Sequence, residues 1–281
     1  MQVLTSNWDV TTVVRDWKRN ADRIGFVPTM GNLHEGHLRL IRVAQQHTDH
    51  VVVSIYVNPM QFNEKADFTN YPRTLERDIQ KLEQLGVDLV FTPSDQSMYP
   101  QGFEKSTFVE VPSWLASQLE GAHRAGHFRG VATIVTKLFN IVQPDVAVFG
   151  EKDFQQLLVI KQLVSDLNLP IEILGEPTVR EGDGLALSSR NQHLTSKERQ
   201  SASGLYAVLS DVRERILLQN MTFSDLEQAA IMQLEKQGFE PDYVAIRHSE
   251  TLQDPEDPTD PLVILAAARL GKTRLIDNLR V

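Results

Sequence analysis

The chain has 281 residues and carries 37 Asp and Glu against 28 Lys and Arg, a formal charge of -9. That length suits a large core in two domains, and the acidity excludes a general nucleic-acid surface, which needs a basic stripe. With no cysteine, disulfides, thiolate metal sites and thiol catalysis are excluded, and a reducing compartment fits. The first eight residues have neither a basic start nor a long apolar stretch, and no run is long enough to span a bilayer. The expectation is a cytoplasmic protein without a membrane or nucleic-acid partner.

Val10, Val13, Val14 and Trp17 recur at helical spacing, so a short helix precedes the first strand. Residues 24–27 are an apolar run that reads as a buried strand. A Gly-punctuated turn follows, and then Leu38, Leu40, Ile41 and Ala44 suit a helix. Residues 51–57 are a β-branched run of the kind expected of a parallel strand covered on both faces. Asn58 to Phe62 ends it. Leu75, Ile79, Leu82 and Leu85 form a helical stripe closed by Gly86, and residues 87–91 are the next strand. Residues 92–106 read as a loop and 107–111 as a short strand. A Gly-rich, cation-dense loop is expected at 120–130, with a helix through Val131, Ile134, Val135, Leu138 and Val142. Residues 146–149 form a strand ended by Gly150, Glu151, Lys152 and Asp153. A helix carrying Phe154, Leu157, Leu158, Lys161 and Val164 follows, and 171–174 is the last strand of the series.

Beyond Pro177 the pattern changes. Thr195 and Glu198 match a capping box opening a helix to about Leu218, and Thr222 opens another closed by Gly238. Residues 243–246 and 263–267 read as strands, with an acidic, proline-rich loop at 254–261. The fold class is therefore α/β: a Rossmann-like parallel sheet with helices on both faces, plus a smaller α+β C-terminal domain. The domains are expected at residues 1–177 and 178–281, the second acting as a lid. Ligands of such sheets sit outside the carboxyl ends of the strands. The polar clusters after Val27, Val57 and Phe149 all fall there.

Strand, Gly turn and helix start is where an α/β sheet receives a phosphate. His34 and His37 stand three positions apart at that start and can donate to one phosphate chain together. A helix start with two solvated histidines is the bland alternative for those two residues. His34, Glu35, Gly36 and His37, at the end of the string that runs from Pro28 through Met30, Gly31 and Leu33, resemble the HxGH signature of the nucleotidyltransferase superfamily. Within it, the string resembles the pantoate–β-alanine ligase family, whose members are also called pantothenate synthetases. Further strings in the family's order extend the resemblance to Asn191, and it weakens over the C-terminal domain.

The resemblance implies an ATP-dependent ligase that condenses pantoate with β-alanine through a pantoyl adenylate, releasing pyrophosphate and AMP. It implies ATP as a substrate with Mg2+ and a homodimer. It implies that His37, His34 and Lys152 carry catalysis. It places the nucleotide against Met30, Gly31, His34, His37, Gly150, Lys152, Asp153, Val179, Leu187, Ser188, Ser189 and Arg190. The family usually has Met where this chain has Leu187. Pantoate falls to Gln61, Gln156, Asn58 and Met30, with Arg124 and Glu120 at the border, and Asp78 stands where the family uses an acidic residue for magnesium.

Each of these residues also has a plainer reading. Lys152 alone is an exposed loop lysine, Gln61 a turn-stabilising amide, and Ser188 a helix cap. Arg124, His127 and Arg129 read equally as an anion site or a solvated loop, His123 as exposed and idle, and Asp78 as an ordinary helix-surface carboxylate. A simple adenylyltransferase shares HxGH but would not need Gln61 and Gln156, and a non-enzymatic nucleotide sensor would bind ATP without turnover. A tRNA synthetase is disfavoured by length, acidity and the lack of a basic anticodon module.

Overall fold

In a computed structural model, residues 1–218, 221–257 and 259–281 are described. Position 258 of the acidic loop expected at 254–261 lies outside them. The chain falls into two compact units, Met1–Glu151 with Gln156–Pro177, and Lys152–Gln155 with Thr178–Val281.

The strands of the first unit are β1 (Gln2–Leu4), β2 (Ile24–Thr29), β3 (His50–Ile55), β4 (Leu89–Phe91), β5 (Val146–Gly150) and β6 (Glu172–Glu176). They make one sheet in the order β1-β4-β3-β2-β5-β6, and every pairing is parallel. The helices up to this point are α1 (Asn7–Arg19), α2 (Glu35–His47), α3 (Lys65–Asn70), α4 (Leu75–Gln84), α5 (Asp95–Met98), α6 (Ser113–Ala116), α7 (Glu120–His123), α8 (His127–Val142) and α9 (Phe154–Asp166).

Successive strand residues point to opposite faces, and the cores divide accordingly. Phe26, Val52, Ala147 and Phe149 pack with α1, α8 and α9, while Val27, Val51, Val53, Val146 and Val148 pack with α2 and α4. Both faces are therefore covered, which is why β3 reads as a near-continuous apolar run.

The second unit is an antiparallel sheet of β7 (Glu240–His248), β8 (Leu262–Leu270) and β9 (Thr273–Arg280), with β8 central. Its helices are α10 (Ser196–Ala202), α11 (Gly204–Leu218) and α12 (Phe223–Lys236). Leu205, Val208, Leu209 and Val212 of α11 and Leu226, Ala230 and Leu234 of α12 share a core with Val244, Ile246, Ile264 and Ala266. The expected capping box is formed: the Thr195 amide donates to Glu198 at 2.7 Å and the Glu198 amide to Thr195 Oγ1 at 3.3 Å.

Four expectations need correction. Residues 107–111 are not a strand, because the Val109 amide donates to the Thr133 hydroxyl at 3.0 Å instead of to a neighbouring chain. The loop expected at 120–130 is largely helical, comprising α7 and the first turn of α8. The loop expected at 92–106 contains α5. The single helix expected to Leu218 is two, breaking at Ser203, beside Gly204, where a Cβ would lie 2.1 Å from the Gln237 side-chain oxygen.

Candidate active site

β2 is bordered by β3 on one side and β5 on the other, so the chain leaves the sheet in opposite directions from this point. The crevice outside the carboxyl end of β2 is the place where such a sheet takes a ligand. The turn there is built from its own backbone. The Thr29 hydroxyl donates to the Ser54 carbonyl at 2.8 Å and accepts from the Gly31 amide at 3.2 Å. Gly31 has φ +80°, and a Cβ on it would lie 3.1 Å from Ile55 and 3.2 Å from the Asp78 carboxylate, so only glycine fits comfortably.

Asp78 of α4 braces this turn. Its two oxygens accept the Asn32 and Leu33 amides, each at 2.8 Å, and the Thr74 hydroxyl adds a third bond at 3.0 Å. The Lys81 ammonium donates to the Leu33 carbonyl one turn further on. Asp78 is 1% exposed, so it is not the helix-surface carboxylate its pattern suggested. Nor does it fit the magnesium role. A carboxylate whose two oxygens each accept a main-chain N–H is committed to the loop.

His34 sits just ahead of α2 in extended conformation, φ -129° and ψ 175°, rather than within the first turn. Its amide donates to His37 Nδ1 at 3.3 Å, and the two rings lie 4.1 Å apart. Since Nδ1 of His37 is accepting, the neutral ring carries its proton on Nε2. His37 is thereby set as a hydrogen-bond donor at the positive end of α2, where an anion is favoured.

Met30, Asn58, Gln61 and Arg124 are brought together. Asn58 Nδ2 donates to the Gly130 carbonyl at 3.1 Å and to Gln61 Oε1 at 3.3 Å, and Gln61 Nε2 donates to the Met30 sulfur at 3.0 Å. The main-chain carbonyl of Gln61 accepts from His127 Nδ1 at 2.8 Å and from Arg124 at 3.4 Å. Arg124 also meets His127 Nε2 at 3.2 Å and Glu120 at 3.8 Å. Because Nδ1 donates to a carbonyl and Nε2 accepts from a guanidinium, His127 is a neutral bridge and not a third cation. Arg129 faces the surface, paired with Glu110 and lying 5.7 Å over the Phe108 ring, and His123 is exposed. Gln156 lies half-buried in the first turn of α9, outside this hydrogen-bonded group, and Gly150 ends β5.

The second unit holds the other residues. Lys152 and Asp153 lie in a short 3-10 turn, and the Lys152 carbonyl accepts from Asn278 Nδ2 of β9 at 2.9 Å. Arg280 lies 4.9 Å over the ring of Phe154, fixing the next step of the chain. Val179 and Leu187 face each other in a hairpin, with the Leu187 amide donating to the Val179 carbonyl at 3.0 Å. Ser188 Oγ accepts the Arg190 amide at 3.2 Å and opens the 3-10 turn Ser189–His193.

Arg180 of that hairpin donates to both oxygens of Asp277, at 2.6 and 2.9 Å, and also to the Gly184 and Asn278 carbonyls. Burial pushes the Asp277 carboxyl up, against the pull of the Arg180 guanidinium. This pair, and Asn278 beside it, escaped the sequence reading. The signal was there: an Asp-Asn step in mid-strand, between the apolar residues Leu275, Ile276 and Leu279.

The pantoate-beta-alanine ligase family model matches residues 2–280. A pantothenate synthetase of Photobacterium profundum is 57% identical over 265 residues, covering 94% of this chain and 90% of that protein. One from Shewanella loihica is 54% identical over 270 residues, covering 96% and 95%. The crystal structure of pantothenate synthetase from Thermus thermophilus superposes with a TM-score of 0.92 at 44% identity, covering 99% of each chain. That of pantoate-beta-alanine ligase from Francisella tularensis, complexed with beta-gamma ATP and beta-alanine, gives 0.84 at 37% identity, covering 100% of this chain and 97% of that one.

Proposed function

The chain belongs to the pantoate–β-alanine ligase family and is an enzyme of that class, and we propose that it works in two steps through a pantoyl adenylate. In the first, a carboxylate oxygen of pantoate attacks the α-phosphorus of ATP, and the bond to the bridging oxygen breaks to release pyrophosphate. A carboxylate is already nucleophilic at neutral pH, so no base is required. The obstacle is charge: two anions meet, and more negative charge gathers on the leaving oxygen. Positioned donors supply the remedy. In the second step the neutral amine of β-alanine attacks the acyl carbon, the acyl–oxygen bond breaks, AMP leaves and the amine gives up a proton.

On this reading His34 and His37 donate to the phosphates and Lys152 neutralises their developing charge. Gly31, Gly150 and Asp153 approach the nucleotide, as do Val179, Leu187, Ser188, Ser189 and Arg190. Gln61, Gln156 and Met30 hold pantoate, with Asn58 beside Gln61 and Arg124 at the border. Magnesium accompanies the nucleotide, and no step is assigned to Asp78 through it. A homodimer in the cytoplasm completes the reading; no helix of the described residues is long and apolar enough to cross a membrane.

The observation that supports the reading is the 3.0 Å contact of Gln61 Nε2 with Met30, which sets an uncharged amide, suited to an organic acid, beside the turn after β2. A simple adenylyltransferase has no need of it. The test is a His37→Ala variant followed by rapid quench in ATP and pantoate. Loss of one charge-directed donor is expected to slow pyrophosphate release about 10²-fold with the fold retained. An unchanged first-turnover rate refutes the role of His37. A parent enzyme that binds ATP but forms neither pantothenate nor AMP when β-alanine is present refutes the ligase chemistry in favour of a sensor.

A further inference from the structure

The geometry points to Tyr99 as a positioning residue that fixes, through Asn58, which end of the Gln61 amide faces the substrate. The inference rests on the reading of Gln61 as a pantoate contact.

The polarity of the chain can be followed bond by bond. The Gly130 carbonyl can only accept, so the Asn58 atom 3.1 Å from it is Nδ2. Asn58 Oδ1 is thereby turned to the Tyr99 hydroxyl, which donates to it at 2.9 Å. The second proton on Asn58 Nδ2 goes to Gln61 Oε1. Gln61 must then present Nε2, and not its oxygen, on the side where Met30 lies. A thioether sulfur is a weak acceptor. A carboxylate or hydroxyl oxygen of an organic acid is a stronger one, and can replace it without disturbing the rest of the chain.

Tyr99 is suited to anchor this order from outside the pocket. It is 2% exposed and Asn58 is 1% exposed, so neither finds water as a substitute partner. Its ring packs 4.7 Å from Phe103, and the Lys137 ammonium lies 5.1 Å from its centroid while bonded to the Met98 carbonyl at 2.9 Å. Burial and the neighbouring Asp95 charge push the phenol far above its ordinary pKa, so it stays a donor across the working range of pH. Without the hydroxyl, Asn58 Oδ1 has no donor in a closed site. The amide then shifts to find one, and the fixed polarity of Gln61 goes with it.

Tyr99→Phe keeps the ring and its packing, so the fold is expected to be retained, with melting somewhat below the parent because Asn58 Oδ1 loses its donor. It should raise KM for pantoate about tenfold while KM for ATP stays unchanged. Gln61→Ala should raise KM for pantoate on its own. Adding Tyr99→Phe to Gln61→Ala should then change nothing further, because the second residue acts only through the first. If Tyr99→Phe leaves KM for pantoate unchanged, shifts both KM values alike, or adds its full effect in the Gln61→Ala background, the positioning role is overturned while the pantoate reading stands. If Gln61→Ala itself leaves KM for pantoate unchanged, the pantoate reading fails and takes the inference with it.

Discussion

Lys152→Met is expected to slow pyrophosphate release in the first turnover by about 10²–10³-fold, the usual cost of removing one preorganised charge-stabilising donor. Methionine keeps the length of the side chain and its apolar stem, so the loss isolates the ammonium. The fold leans on that group only through its pull on the buried Asp277 carboxyl, the last of the influences that favour its charge, behind the Arg180 pair and the Asn278 amide. The lysine's carbonyl is held by Asn278 at 2.9 Å, and the chain beyond it by Phe154 beneath Arg280. Thermal melting of the variant should therefore stay close to the parent's. Affinity for pantoate alone should also be retained, since that acid meets neutral amides on this account. The comparison to make is rapid-quench pyrophosphate release against equilibrium binding of pantoate. An undiminished burst removes Lys152 from the chemistry, and a large loss of melting temperature makes it a structural lysine.

Asp78→Ala should have the largest effect on stability. It removes the Asp78 acceptors of the half-buried Asn32 amide and the buried Leu33 amide, at about 1–3 kcal/mol for the buried one and less for the other. Asp78→Asn keeps one acceptor but sets an NH2 group against a main-chain N–H, and should fall between parent and Ala. Both variants should lose adenylation out of proportion to stability, because the turn they loosen carries His34 and His37. Metal dependence separates this account from a magnesium-ligand role. The bracing role predicts the same fall in melting temperature with EDTA present, and no recovery of activity at raised magnesium. A variant that melts with the parent and is rescued by magnesium contradicts it.

The α/β architecture was legible because its strands are buried on both faces and its Gly turn sits between a strand and a helix, features that leave marks within ten or so residues. Elements whose stability comes from distant partners left weaker marks. β1 is only Gln2–Leu4 and pairs with β4 far along the chain. β9 carries Arg274, Asp277 and Arg280, and those charges broke an alternation that the Arg180–Asp277 pair makes tolerable. Thr107–Val111 alternates like a strand, yet its backbone is claimed by a side chain on α8.

The candidate site shows the same division. His34, His37 and Lys152 lie in short strings whose local context was readable. Asp78 was misplaced as a surface residue. It sits one helical turn from Leu82, on the buried stripe of α4, and only the turn it braces explains a carboxylate there. The roles of Tyr99 and His127 are set by residues 41 and 66 positions away, Asn58 and Gln61, and no local pattern reveals such pairings.

The most direct measurement omits β-alanine. The protein, with ATP, magnesium and pantoate, is quenched within the first turnover and searched by mass for the mixed anhydride of pantoate and AMP, while pyrophosphate is counted per site. The account predicts that the anhydride accumulates with one equivalent of pyrophosphate, and that adding β-alanine converts it to pantothenate and AMP. Pyrophosphate release that requires β-alanine, or pantothenate formed with no acyl adenylate before it, would contradict it.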